Sequence, residues 1–145
     1  FWQRIKVIIH HLQRKEHYNK IMDFGCGLGA LMPFLVQKSD TVLAVDPAIQ
    51  YLIPIANKNG WSNIIFAQNI NSLTNIDNLK VDVILALDVL EHIDNLLHNI
   101  NYLKELLKKA ERFTSPVPLK ILYTSSAEKW LDMTGITMSE IFTKY

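Results

Sequence analysis

The chain has 145 residues, 49% hydrophobic and 20% charged, which is enough for one domain with a real core, too few for two comfortable ones, and unlike a disordered chain. A formal net charge of +1 gives no global pull towards nucleic acid or an anionic membrane. No apolar run approaches the roughly 20 residues that span a bilayer, and the single cysteine, Cys26, excludes an internal disulfide and suits a reducing compartment, the cytoplasm.

Trp2, Ile5, Ile8, Ile9 and Leu12 recur at helical spacing, so residues 2–15 are expected to form an amphipathic helix. Residues 20–24 form a short apolar strand. Residues 28–37 follow as a helix packed through Leu31, Phe34 and Leu35, with Pro33 tolerated near its first turn. The β-branched run 41–45 is a buried strand ending at Asp46. Pro47 suits the start of the next helix, 47–57, and Pro54 lies deep enough to kink or split it. Asn59-Gly60 marks a turn before a third strand, 63–67. The run 81–87 is apolar throughout, as a strand covered on both faces would be. Asp94 is a suitable cap for a long helix with Leu96, Leu97, Ile100, Leu103, Leu107 and Ala110 on one stripe. A proline-containing linker, 115–118, leads to a fifth strand, 119–124.

Strands alternating with helices through short connections predict an α/β domain over residues 1–145: a Rossmann-like, doubly wound sheet of about five parallel strands with helices on both faces. Ligands of such sheets sit beyond the carboxyl ends of the strands. The residues that follow four of the strands converge there. They are the loop Asp23-Phe24-Gly25-Cys26-Gly27-Leu28-Gly29, Asp46, the residues after Ala67, and those after Leu87. Glycines let a backbone take positive φ and let a ligand come close, so the first loop reads as a cradle for a nucleotide-like cofactor. Gly25-x-Gly27-x-x-Ala30 also fits the relaxed dinucleotide fingerprint, which keeps an NAD-type oxidoreductase open. Asp23, at the strand tip before the glycines, opposes a pyrophosphate and favours a cofactor with an ammonium group. Asp46 suits both hydroxyls of a ribose, or else caps the next helix with Pro47. Cys26 reads as a small filler rather than a nucleophile, and His10-His11 as a solvated helix face.

The glycine loop, Val45-Asp46 and the segment Leu87-Asp88-Val89-Leu90-Glu91-His92 keep one order and spacing over about residues 1–125. Together they resemble the class I S-adenosylmethionine-dependent methyltransferases, and most closely the small-molecule branch that carries Leu-Glu-His at this place. The resemblance implies S-adenosyl-L-methionine as cofactor, strand order 3-2-1-4-5, and methyl transfer to an oxygen or nitrogen of a small-molecule acceptor. It also implies site roles. Gly25, Cys26, Gly27 and Gly29 would line the methionine part, with Asp23 holding its amino group. Asp46 would take the ribose hydroxyls. Pro47 and Ala48 would lie against the adenine. Asn69 or Ile70 would stand where the family often has an acidic residue contacting the adenine amine. Asp88 would flank the site, and the Leu87 carbonyl would face the ammonium.

His92 is the candidate general base, imidazole being the group that exchanges protons near neutral pH, with Glu91 beside it. Asp88-x-x-Glu91-His92 departs from the Glu-x-x-Glu-His metal motif of some O-methyltransferases, and His98 is too far along to complete it; no metal is assigned. The family's last two strands find no counterpart after Thr124, where the sequence reads as helix or loop. A C-terminally truncated domain is therefore expected, its fifth-strand edge left to a second copy or to a missing segment. A cofactor-binding module without catalysis remains the third alternative.

Overall fold

The computed structural model describes residues 2–73, 79–107, 121–123 and 142–144. Its sheet is parallel throughout, in the order β3-β2-β1-β4-β5-β6. The strands are β1 (Tyr18–Phe24), β2 (Ser39–Val45), β3 (Ile64–Ala67), β4 (Val83–Ala86), β5 (Ile121–Tyr123) and β6 (Phe142–Lys144). The expected order 3-2-1-4-5 is present, and the sheet continues one strand further. β6 lies alongside β5, so β5 is not the outer strand it was expected to be. Three residues are too few for a two-residue alternation to show against a helical one, and so β6 was not foreseen. The expectations for residues 108–120 and 124–141 lie outside the described residues.

Alternation along the central strands divides the core into two layers. Met22, Phe24, Leu43, Val45, Ile84 and Ala86 face one side, where they meet Ile100, Leu103 and Leu106 of α4 (Leu96–Leu106). Ile21, Val42, Ala44, Val83 and Leu85 face the other, against α1 (Trp2–Leu12), α2 (Met32–Lys38) and the start of α3 (Leu52–Asn59). Ile5, Ile8 and Leu12 carry the buried stripe of α1, and His11, expected on a solvated face with His10, is buried beside Leu12 in the chain while His10 is exposed.

Several elements differ locally from expectation. Helix α2 starts at Met32 rather than near residue 28, because positive φ at Gly25, Gly27 and Gly29 prolongs the loop. The segment after Pro47 is split, as Pro54 predicts: a 3-10 turn, Ile49–Tyr51, precedes α3. Restarting at Leu52 puts Pro54 in the first turn of α3, where no N–H is required. Asp94 does not cap α4. Asn95 occupies that place in the left-handed conformation, with no side-chain cap, while the Asp94 carbonyl accepts from Asn99 Nδ2 at 2.8 Å. Leu97, expected in the buried stripe, is exposed, and Leu106, which was outside that stripe, is buried in the core.

Candidate functional site

The carboxyl ends of β1 to β4 open on a cleft of about 660 Å³. Of the residues singled out in the sequence, Gly25, Asp46, Pro47, Asn69, Ile70, Asp88 and His92 line it. Asp23, Cys26, Gly27, Gly29, Leu87 and Ala48 are not among its lining residues.

Asp23 shares the α1/α2 face of β1 with Ile21 and pairs in register with Ala44 and Leu85. Only 4% of it is exposed, and no described side chain or backbone N–H donates to its carboxylate. Burial, and then the neighbouring Asp46 carboxylate, push its carboxyl up to about 7. An orphaned buried carboxyl beside a second carboxylate is a poor place for an anion and a good one for a cationic amine.

Asp46 joins two parts of the site. Its Oδ2 accepts the Gly27 N–H at 2.9 Å and its Oδ1 accepts the Ala48 N–H at 2.8 Å. The capping alternative is not realised, since Ala48 and Tyr51 stand at the N-cap places of the 3-10 turn and of α3 without side-chain cap bonds; Asp46 instead bonds across the turn after β2, and the same side chain ties the glycine loop to that strand. A carboxylate has about four lone-pair positions, so two remain for a ligand's hydroxyls. The loop is further fixed by Gly25 N–H and Cys26 N–H, which donate to Val45 O at 2.7 and 3.3 Å.

Gly25 has φ +80°, and a Cβ there would lie 2.5 Å from the Val89 side chain. The glycine loop thus packs directly on the segment after β4. Around Gly27, by contrast, a Cβ would meet nothing within 4 Å. That side of the loop is open space. Cys26 is buried in the α1/α2 layer. Burial, with Asp23 and Asp46 nearby, pushes its thiol far up, which fits a filler and opposes a nucleophile.

Beyond β4, Asp88 takes φ +49°, an uncommon conformation for a residue other than glycine, on the cleft wall. Leu90–His92 form a 3-10 turn in which the His92 N–H donates to Val89 O at 3.0 Å. Leu90 anchors the turn in the core, and His92 is exposed to the cleft. The role expected of the Glu91 side chain lies outside the described residues. Among the described residues no three His, Cys, Asp or Glu side chains gather as a metal-binding group.

Past β3, Asn69 and Ser72 cap each other around the turn Ile70–Ser72. The Asn69 Oδ1 accepts the Ser72 N–H at 2.9 Å, which takes one of its two lone pairs and leaves the other for the expected contact to an adenine amine. Gln68, Asn71, Val89 and Asn99 also line the cleft and were not singled out. Gln68 and Asn71 directly flank a marked pair, a signal that could have found them. Asn99 depends on where α4 starts, which the sequence misplaced.

These residues fit the cofactor that the sequence resemblance implies: an unsatisfied carboxyl for its ammonium, an open glycine backbone, and spare carboxylate valence for its ribose.

Comparison with known proteins agrees. Residues 3–138 match the profile of a family described as "Methyltransferase domain". A "Ubiquinone biosynthesis O-methyltransferase" from Rickettsia bellii (strain OSU 85-389) is 29% identical over 144 residues, covering 94% of this chain and 56% of that protein. Its namesake from Rickettsia typhi is 30% identical over 145 residues, covering 94% and 54%. The chain thus spans about half the length of the curated relatives it matches. Among solved structures, the N-methyltransferase NodS from Bradyrhizobium japonicum WM9, in complex with S-adenosyl-L-homocysteine, superposes with a TM-score of 0.63 at 16% identity, over 73% of this chain and 56% of that one. A SAM-dependent methyltransferase from Aquifex aeolicus gives a TM-score of 0.59 at 23% identity, over 79% and 69%. Both share the fold. With sheet order, glycine loop and a match over nearly its whole length in agreement, the chain belongs to the methyltransferase-domain family.

Proposed function

We propose that this chain binds S-adenosyl-L-methionine and transfers its methyl group to an oxygen of a small-molecule acceptor. The observation that carries the reading is the buried, unsatisfied Asp23 carboxyl under the glycine loop, with Asp46 at the adjacent strand tip. Two carboxylates at that place repel the pyrophosphate of a dinucleotide and attract an ammonium, which argues against the NAD alternative. Oxygen is preferred to nitrogen as acceptor because the curated relatives are named O-methyltransferases. Among the described residues no helix is long and apolar enough to cross a membrane, and a cytoplasmic location accords with the lone buried cysteine.

The cofactor, when bound, supplies a methyl group on a sulfonium already activated for displacement. The chain's own residues do the rest. Asp23 holds the ammonium. Asp46 keeps the Gly27 loop in place and accepts the ribose hydroxyls on its spare lone pairs. Pro47 and Ile70 give the base apolar contact. The 3-10 turn anchored by Leu90 presents His92 to the acceptor side, where its imidazole takes the proton of the attacking hydroxyl. Held in line, the two reactants need little further chemistry; orientation alone is worth up to roughly 7–11 kcal/mol in favourable intramolecular reactions.

Incubating the chain with methyl-labelled S-adenosyl-L-methionine and matched panels of phenolic and amine acceptors tests this. Label entering a phenolic oxygen supports it. Label entering amines alone would move the acceptor to nitrogen. Binding of the cofactor with no turnover on either panel would favour a cofactor-binding module.

A further inference from the structure

The His92 side chain is exposed on the cleft wall, and no described group hydrogen-bonds its ring. Where that ring stands is therefore set by its backbone. Two residues before it, Leu90 is buried in the core. After it, the chain passes through Ile93 and Asp94 to Asn95, which enters α4 in the left-handed conformation, φ +52°, without a side-chain cap bond of its own.

Asn99 holds that corner. Its Nδ2 donates to the Asp94 carbonyl at 2.8 Å and to the Asn95 carbonyl at 3.3 Å. A carbonyl only accepts, so it is the NH₂ group that faces the corner, and its two hydrogens have these two partners. The Asn99 backbone N–H also donates to the Asn95 carbonyl, at 3.2 Å. Asn99 is half-buried and lines the cleft. It directly precedes Ile100, which is wholly buried in the layer between α4 and the sheet. His92 is thus suspended between two fixed points: Leu90, two residues before it, and the clasped Asp94 carbonyl, two residues after.

We propose that Asn99 is a positioning residue for methyl transfer, which fixes the place of His92 by clasping the Asp94 and Asn95 carbonyls. The proposal deepens the reading of His92 as the base and rests on it. A base works only within hydrogen-bond reach of the proton it takes. A misplacement of about 1 Å can cost about 100-fold in rate. With the clasp gone, the left-handed corner keeps only its backbone bonds, and a ring with no partner of its own moves with that corner.

Steady-state transfer of labelled methyl to the phenol that accepts it in the panel above tests this. The proteins are wild type, Asn99→Ala, Asn99→Asp, His92→Gln and the two double variants. Asn99→Asp keeps the shape and an acceptor oxygen but loses both donors. Asn99→Ala adds no charge, and serves alone if the aspartate variant does not fold. Either single variant should lower kcat about tenfold or more, with affinity for S-adenosyl-L-homocysteine within about twofold of wild type. In the His92→Gln background the same substitutions should lower kcat less than about twofold, because a residue that acts through His92 has nothing left to position. Wild-type kcat in Asn99→Ala or in a folded Asn99→Asp overturns the proposal. So does a loss of equal size with and without His92, which would make Asn99 act independently. These results leave the reading of His92 standing. Undiminished turnover in His92→Gln, or no turnover by wild type with any phenol, overturns both.

Discussion

Asp23→Asn should make the unliganded protein more stable while weakening its grip on the cofactor. The folded carboxyl holds its proton up to about pH 7, whereas an unperturbed aspartate loses it near 3.8. Between those values the folded state binds more protons than the unfolded one. Stability is therefore lost as pH rises through this window, and the loss levels off above about 7. The full window is worth about 4 kcal/mol. Asparagine has the same shape and does not titrate, so the variant escapes this loss. Its stability relative to wild type should grow by about 2–3 kcal/mol between pH 5 and pH 8, or roughly 5–10 °C in melting temperature for a domain of this size. Binding should run the other way. Losing a charge-assisted contact to the ammonium costs about 10- to 100-fold in affinity for S-adenosyl-L-homocysteine at pH 8. Wild-type affinity should rise with pH up to about 7 and then flatten, because ammonium binding requires the ionised carboxylate; the variant should show no such slope. Thermal melts at pH 5 and pH 8, with and without the ligand, give the stability and affinity differences, and titrations at intermediate pH give the slope. A variant destabilised equally at pH 5 and pH 8, with undiminished ligand affinity, would refute the reasoning.

Three further outcomes are expected. Gly25→Ala combines positive φ with a Cβ 2.5 Å from both Cβ and Cγ2 of Val89 and should cost about 2–4 kcal/mol in chemical denaturation; in a Val89→Gly background, which removes both of those atoms, the cost of Gly25→Ala should be smaller by its steric part. Cys26 should react with a thiol reagent only after denaturant is added, since its thiol is buried and held protonated; rapid labelling of the native protein would contradict that. His92→Gln should lower turnover about 100-fold or more with the affinity for S-adenosyl-L-homocysteine within twofold of wild type; an equal loss in both would make His92 a binding residue instead of a base.

The alternation of strands and helices was legible because the central strands are apolar on both faces, which two covered layers require. The glycine loop, Asp46 and the turn Leu90–His92 were legible for another reason: each follows a recognisable strand, and a parallel sheet brings strand ends to one edge. Orientation was not legible. That Asp23 lies off the cleft lining depends on which face of β1 it occupies, the one opposite Phe24, and how closely Ala44 and Leu85 pack beside it. That Asn69 and Ser72 cap each other depends on a turn too short to leave a periodic signature. The start of α4 was misplaced because Asp94 and Asn95 are equally good caps by residue type, and the chain enters the helix through a left-handed Asn95. The strand β6 was missed because three residues carry too little pattern.

The central claim is that the cleft holds S-adenosyl-L-methionine through Asp23 and Asp46. Isothermal titration of the chain at pH 8 with S-adenosyl-L-homocysteine, and separately with NAD, for wild type and Asp46→Ala, tests it most directly. The account predicts one-to-one binding of S-adenosyl-L-homocysteine by wild type, its loss in Asp46→Ala, and no comparable binding of NAD. Binding of NAD in preference, or affinity for S-adenosyl-L-homocysteine that Asp46→Ala leaves intact, would contradict it.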